Sequence, residues 1–247
     1  MSINKKNLIY IIIYLITFQG YTQETVSQND YIFNNIKFDY IVIKVDDYVI
    51  NNFLFIKNEH LTENNKILSD LLSKDSSFLA LNACITDSLC NPLGLLINNN
   101  IIEQKTNNND GNGNFYLKPN GALIFTDNEI KIIKSTDISD LSRVRLGIQS
   151  GPLLLDNGIY NNSFNKNSIN KKIRLGVGVF NKKNENFIVF IKTEDEVNFY
   201  DFSMIFDNKF KCKNALCLES QGCVMSFPDN FDLTNSKKYC NYFILNL

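Results

Sequence analysis

The chain has 247 residues, 44% of them hydrophobic and 21% charged, with 25 basic side chains against 26 acidic ones, one His and no Trp. That length can bury a sizeable core in one large domain or two small ones. A net charge of −1 leaves no basic excess for a nucleic acid, and one His excludes a His-based zinc site.

The 38 Asn, 30 Ile and 22 Lys against 3 Arg reveal a compositional bias in which Asn runs carry little chemical meaning. In chain order, the first predicted element is an address. Lys5 and Lys6 precede an apolar run over residues 8–18, and Gly20, Tyr21 and Thr22 follow at the spacing a signal peptidase needs. Residues 1–22 therefore read as a secretory signal peptide. The apolar run is too short to span a bilayer, and no Cys follows it to carry a lipid. The expected mature chain is periplasmic or secreted and has no stable membrane span.

Residues 23–37 read as a polar segment, and one domain is expected over 38–247. Alternation with period two at 38–45 and again at 48–56, across Asp46-Asp47, predicts a β-hairpin. Leu61, Ile67, Leu68, Leu71 and Leu72 stand at helical spacing and predict a helix over 61–72. A short buried strand at 78–81 runs into Asn82. Residues 107–114, rich in Asn and Gly, are a loop, and Pro119-Asn120-Gly121 is a turn. Strands are predicted at 115–117, 122–125, 129–133, 145–149, 153–155, 174–180, 187–192 and 215–218. A second helix is predicted over 198–206. The polar stretch 161–172 reads as a mobile surface loop. The sum is an α+β fold: a β-rich single domain of mixed or antiparallel sheets with a few flanking helices.

Export places Cys84, Cys90, Cys212, Cys217, Cys223 and Cys240 where disulfides are allowed. Their spacings do not match the paired CxxC of zinc sites. One or two disulfides and ordinary buried thiols both fit, and the pairing of Cys84 with Cys90 stays open. No metal or cofactor is expected.

Three segments carry chemistry. At Gln149-Ser150-Gly151-Pro152 a strand breaks into a turn whose Gly lets backbone N–H groups approach a ligand, while Ser and Gln add neutral donors. A plain β-turn is the alternative. Arg174 opens a strand in a chain that otherwise uses Lys, and a guanidinium grips phosphate or carboxylate through two bonds where Lys gives a point charge. Arg143 and Arg145 share that reasoning at lower weight. Glu219 ends an apolar strand, a rigid place for an acid facing a cleft. Asn82 is either turned toward a site or bonded to nearby backbone. His60 reads as exposed and without a role. Asn161-Asn162-Ser163 matches a glycosylation sequon that the Asn bias explains.

Taken together, the segments 79–83, 91–95, 113–121, 149–152, 172–178 and 213–218 resemble, in order and spacing, the bacterial exported branch of the phosphodiester glycosidase family. The resemblance implies cleavage of a sugar joined through its anomeric carbon to a phosphodiester. It also implies a site gathering Asn82, Asn120, the Gln149-Ser150-Gly151 turn, Arg174, Glu219 and Ser220. In that site Arg174 and the turn would hold the phosphate, and Glu219 would stabilise an oxocarbenium-like transition state. A second acid, if required, is Asp87 or Asp110. The chain departs from the family pattern at three places. Cys84 stands where the family has Gly, Glu219-Ser220 replaces Asp-Gly, and Cys223 stands near the position of a Ser. These departures frame two readings: an exported hydrolase, and a catalytically impaired descendant that binds glycan or phosphate.

Overall fold

Apolar side chains alternate along most of the chain, and the computed structural model answers with strands. It describes residues 26–57, 78–220, 222–226 and 240–246. The signal peptide over 1–22, His60 and the helix over 61–72 lie outside the described residues.

The strands form three antiparallel sheets. The largest orders β1 (Val26–Phe33), β2 (Ile36–Lys44), β13 (Glu185–Thr193), β12 (Leu175–Lys182), β14 (Asn214–Glu219), β10 (Leu153–Asp156) and β11 (Ile159–Tyr160) side by side. A second orders β15 (Met225–Ser226), β4 (Phe78–Asn82), β16 (Asn241–Asn246) and β3 (Phe53–Lys57). A third orders β6 (Ile101–Gln104), β5 (Leu96–Asn98), β9 (Val144–Ser150), β7 (Gly121–Thr126) and β8 (Ile130–Lys134).

Among the described residues the α-helices are two short ones, α1 (Asp47–Asn52) and α2 (Phe199–Ile205). The expected β-rich architecture of antiparallel sheets with few helices is present, and the described residues are mostly β rather than clearly α+β. Neither helix is long enough to form a layer. No described helix is long and apolar enough to cross a membrane.

Alternation decides the layers. On one face of the large sheet Leu175, Val177, Ile188, Phe190, Leu216 and Leu218 pack against Phe53, Leu79, Leu81, Phe125, Ile148 and Phe243 from the other two sheets. The rings of Phe53, Phe125 and Phe243 lie 5.1–6.0 Å apart in tilted and edge-on pairs, the geometry aromatic quadrupoles prefer. On the opposite face Val189, Ile191, Ala215 and Cys217 meet Phe202, Ile205 and Phe206 of α2 and the π-helical turn after it. Gly176 and Gly178 permit that approach, since a Cβ would stand 2.9 Å from the Phe202 ring at one and 2.7 Å from Phe206 and Cys212 at the other.

Two local expectations are corrected. The hairpin over 38–45 and 48–56 does not form. Asp46 is a helix N-cap whose Oδ1 accepts from the Val49 amide at 2.8 Å, so residues 48–52 coil and β3 joins a different sheet. The true hairpin pairs β2 with β1 across Asn34 and Asn35, both at positive φ (50° and 62°), as a tight hairpin turn needs. Part of the stretch read as a polar N-terminal segment therefore lies in the large sheet. Residues 115–117 are not a strand either: Asn114–Tyr116 make one 3-10 turn.

A disulfide joins Cys90 to Cys240, 150 residues apart. Cys84 is a free, buried thiol, as are Cys212 and Cys217, and Cys223 is free and partly buried.

Candidate active site

The end of β14 and the start of β12 meet where their pairing shifts register between Leu175 and Gly176. A bulge re-aims side chains, and this one delivers Glu219 and Ser220 beside Arg174. The Arg174 side chain is completely buried. Its Nε donates to the Val197 carbonyl at 2.8 Å, Nη1 to Ser220 Oγ at 3.0 Å and Nη2 to the Asn170 carbonyl at 3.2 Å. Its carbon centre lies 3.6 Å above the Phe199 ring. The fork is turned inward, onto a serine, two carbonyls and an aromatic face. Burial holds the guanidinium below its ordinary pKa, and the neighbouring Cys217 and Cys223 pull it the other way.

Glu219 is half-buried, and its Oε1 accepts the Ser220 amide at 2.6 Å. Its charge reaches three thiols. Burial first, then Glu219, pushes Cys84 up to about 12 against a hydrogen bond with Asn241. Burial pushes Cys217 up to about 11, with Arg174 and the Ser220 hydroxyl opposing and Glu219 adding. Burial, Cys217 and Glu219 raise Cys223 further, opposed by Lys192 and Arg174. Lys192 thus brings a second positive charge to this corner. No group of three or more His, Cys, Asp or Glu side chains among the described residues is placed to hold a metal ion.

The other expected site residues are distributed around this pair of strand ends. Asn82, at the end of β4, is buried, and its Oδ1 accepts from the Val224 amide at 2.5 Å. Ser150 Oγ donates to the Leu218 carbonyl at 3.3 Å and so fastens the turn to the strand carrying Glu219. A Cβ on Gly151 would lie 3.2 Å from the Phe115 carbonyl and 3.3 Å from Asn120. Asn120 donates to the Phe115 carbonyl at 2.6 Å, while its buried Oδ1 has no hydrogen-bond partner among the described residues.

Gln149 faces elsewhere. Its Oε1 accepts the Leu95 and Asn107 amides at 3.1 and 2.8 Å and its Nε2 donates to the Asn107 carbonyl at 2.7 Å, clamping the 107–114 loop. Asp87 organises a local turn, accepting from the Leu89 and Asn91 amides at 2.8 and 2.9 Å, and Asp110 sits on the exposed loop. Arg145 donates to the Ile50 and Phe53 carbonyls and docks α1.

Asn241 and Asn198 have structural roles that sequence did not single out, and Cys84 and Asn161 have roles other than those expected. Asn241, next to the disulfide, accepts the Ala83 and Cys84 amides at 3.2 and 3.0 Å and fixes the backbone after Asn82. Cys84 has no positive φ, and its side chain turns into the core, so the Cβ that replaces the family's Gly is accommodated there. Asn198 caps α2 through the Asp201 amide at 2.9 Å and also donates to the Lys166 carbonyl at 3.2 Å. Asn161, the sequon residue, is buried and donates to the Leu153 carbonyl at 3.0 Å. With Arg174 at Asn170, these bonds tie the 161–172 stretch to the body at several points. In a chain with 38 Asn, nothing local marks which of them are structural.

The tied loop forms one wall of a cleft of about 310 Å³ lined by Gly113, Asn114, Leu117, Phe164, Asn170, Phe199 and Tyr200 among others. A larger hollow of about 550 Å³ lies over the β7–β8 turn and residues 137–144; Arg143 lines it, and none of the other candidate site residues does.

The sequence profile of the phosphodiester glycosidase family matches residues 75–220, more than half of the chain. An uncharacterized protein of Escherichia coli strain K12, YigE, is 31% identical over 153 residues, which cover 62% of this chain and 59% of that protein. The catalytic domain of zebrafish N-acetylglucosamine-1-phosphodiester alpha-N-acetylglucosaminidase, described as auto-inhibited by its pro-peptide, superposes with a TM-score of 0.55 at 11% identity. That match covers 90% of this chain and 82% of the zebrafish chain. A hypothetical protein from Synechocystis superposes with a TM-score of 0.52 at 11% identity, over 90% of this chain and 62% of its own. At such identity these two likenesses speak to the fold.

Proposed function

The chain belongs to the phosphodiester glycosidase family, and on that premise we propose that it is an exported hydrolase. Its substrate would be a sugar-1-phosphodiester or a related glycan linkage, from which it releases the sugar. The observation that carries the reading is the Arg174–Ser220–Glu219 unit at two converging strand ends.

In this reading the bond between the anomeric carbon and the phosphate oxygen breaks, the phosphate leaves with the bonding electrons, and water adds to the carbon and releases a proton to the departing phosphate or to solvent. Positive charge grows on the sugar ring as that bond lengthens, and Glu219 is the carboxylate that stabilises it. The Ser220 amide holds Glu219 in place. Arg174 acts as a positioning residue, because its nitrogens already face Ser220 and two carbonyls. Charge on the departing phosphate is met by Lys192, whose positive charge reaches this corner. The zebrafish enzyme named above acts, by its name, on an N-acetylglucosamine-1-phosphodiester, the same chemistry as proposed here.

The test is hydrolysis of a chromogenic sugar-1-phosphate diester panel by the purified chain beside Glu219→Gln. The expected result is turnover that falls at least about 100-fold in the variant, as loss of a positioned carboxylate entails, with the circular dichroism spectrum unchanged. Turnover that survives Glu219→Gln would remove the catalytic assignment. Saturable sugar-phosphate binding with no turnover on any substrate would mark the chain as a binding module instead.

A further inference from the structure

We infer that the cleft beside Arg174 is a subsite for a neutral hexopyranose, the sugar of the substrate or the next sugar of its glycan. The inference rests on the hydrolase reading only for its place in the reaction; the ligand chemistry follows from the cleft itself.

None of the ten residues lining the cleft carries a charged side chain. Arg174 runs beneath the floor, but the Phe199 ring separates it from the cleft and its nitrogens donate into the protein. An anion would find no charge to meet here. A pyranose asks for something else: apolar faces for its C–H groups and neutral donors and acceptors for its hydroxyls.

The cleft supplies both. Phe164 stacks on Phe199 with centroids 5.3 Å apart, and Tyr200 stacks on Tyr160 at 5.4 Å, so the rings are held in fixed planes. Asn114 and Asn170 line the cleft, and among the described residues neither side-chain amide makes a hydrogen bond within the protein. Ser163 adds a hydroxyl whose donor is held by the Lys118 carbonyl at 3.1 Å, leaving its lone pairs as acceptors. Next to Asn114 the backbone at Gly113 takes a φ of 97°, and a Cβ there would meet nothing within 4 Å.

The walls are also preformed. The Asn170 carbonyl is anchored by Arg174, and Asn198 anchors the Lys166 carbonyl. A volume of about 310 Å³ suits one sugar ring and lies at the small end of the range for ligand pockets. Because Arg174 also bonds Ser220, the same side chain braces the cleft and the strand end that carries Glu219.

The experiment is a protein-observed NMR titration of the full chain with methyl glycosides of glucose, galactose and N-acetylglucosamine, and separately with inorganic phosphate. The expected result is saturable shifts of the Asn114, Phe164, Asn170 and Tyr200 signals with at least one glycoside and not with phosphate. Asn114→Ala and Asn170→Ala, changes of side chains that make no internal bond, should each weaken that binding about 3- to 10-fold, the worth of one hydrogen bond. Phe164→Ala should weaken it about 2- to 10-fold. Shifts confined to other residues, affinity unchanged in both Asn variants, or phosphate moving the same signals would each overturn the subsite. These readouts need no turnover, so the subsite can fail while Glu219-dependent hydrolysis stands, and hydrolysis can fail while the subsite binds sugar.

Discussion

Arg174→Lys keeps a positive charge and removes the fork. In the native chain three different nitrogens reach three acceptors at 2.8, 3.0 and 3.2 Å, on Val197, Ser220 and Asn170. A lysine offers one nitrogen at the end of a flexible stem, so two of these three acceptors lose their donor. Each lost bond to a charged group costs about 1.5–3 kcal/mol, and the Phe199 stack weakens as well. The side chain is completely buried, so water cannot replace the donors. We expect a net loss of about 3 kcal/mol, or roughly 6–12 °C in Tm for a chain of this size.

Thermal unfolding followed by circular dichroism measures the stability loss, and steady-state hydrolysis supplies the second readout. A residue that positions Ser220 and Glu219 should lower kcat with little change in KM. A residue that grips the phosphate should raise KM instead. A Tm within about 1 °C of the parent together with a raised KM and unchanged kcat would refute the inward-fork account, since the magnitude above comes entirely from bonds inside the protein.

Three further outcomes follow from the same geometry. Replacing Cys90 and Cys240 by Ser opens a crosslink spanning 150 residues and should cost about 4–5 kcal/mol in urea unfolding, by the loop-entropy account; an unchanged midpoint would mean that the native bond contributes nothing. The thiols of Cys84 and Cys217, raised to about 12 and about 11 from 9.0, stay protonated in the folded chain where the unfolded chain has lost its protons. Their stabilisation is therefore unaffected below about pH 8.5, and stability falls as pH rises from there toward 11 by about 2.7 kcal/mol per pH unit for the pair. Urea titrations at pH 8 and 10 test this, and a slope no steeper than in Cys217→Ser would contradict it. Gly94→Ala places a Cβ 2.4 Å from Gln149 Oε1, so the clamp on Asn107 must shift at a cost of about 1–3 kcal/mol. Faster amide exchange at Asn107 is the specific sign, and unaltered exchange would show that Gln149 does not hold that loop.

Much of the secondary structure could be read from the sequence because it is local. Apolar runs, alternating or continuous, placed β2, β4, β7, β8, β9, β10, β12, β13 and β14 within a few residues, and Asn198 opens α2 at the expected position. The positions of Asn82, Ser150, Arg174 and Glu219 were legible for the same reason, because each stands at an end of an apolar run. Pairing was not legible. Nothing in residues 38–56 tells that β2 lies between β1 and β13 while β3 crosses to another sheet; that depends on which apolar faces meet. The disulfide joins cysteines whose separation gives no local sign.

Side-chain direction was the deepest gap. Arg174 invited a role outward, toward an anion, and the fold turns its fork onto Ser220 and two carbonyls. Gln149 was read beside a ligand turn and instead clamps a loop 42 residues upstream. The missing Gly at Cys84 looked like a breach in the site, yet its side chain enters the core. The sequence by itself determined where those nine strands run and which family pattern the segments resemble, since those properties are set by neighbours along the chain. Only the tertiary structure decided what each strand end touches, because a buried polar group takes whichever partner the packing of distant segments brings within about 3 Å.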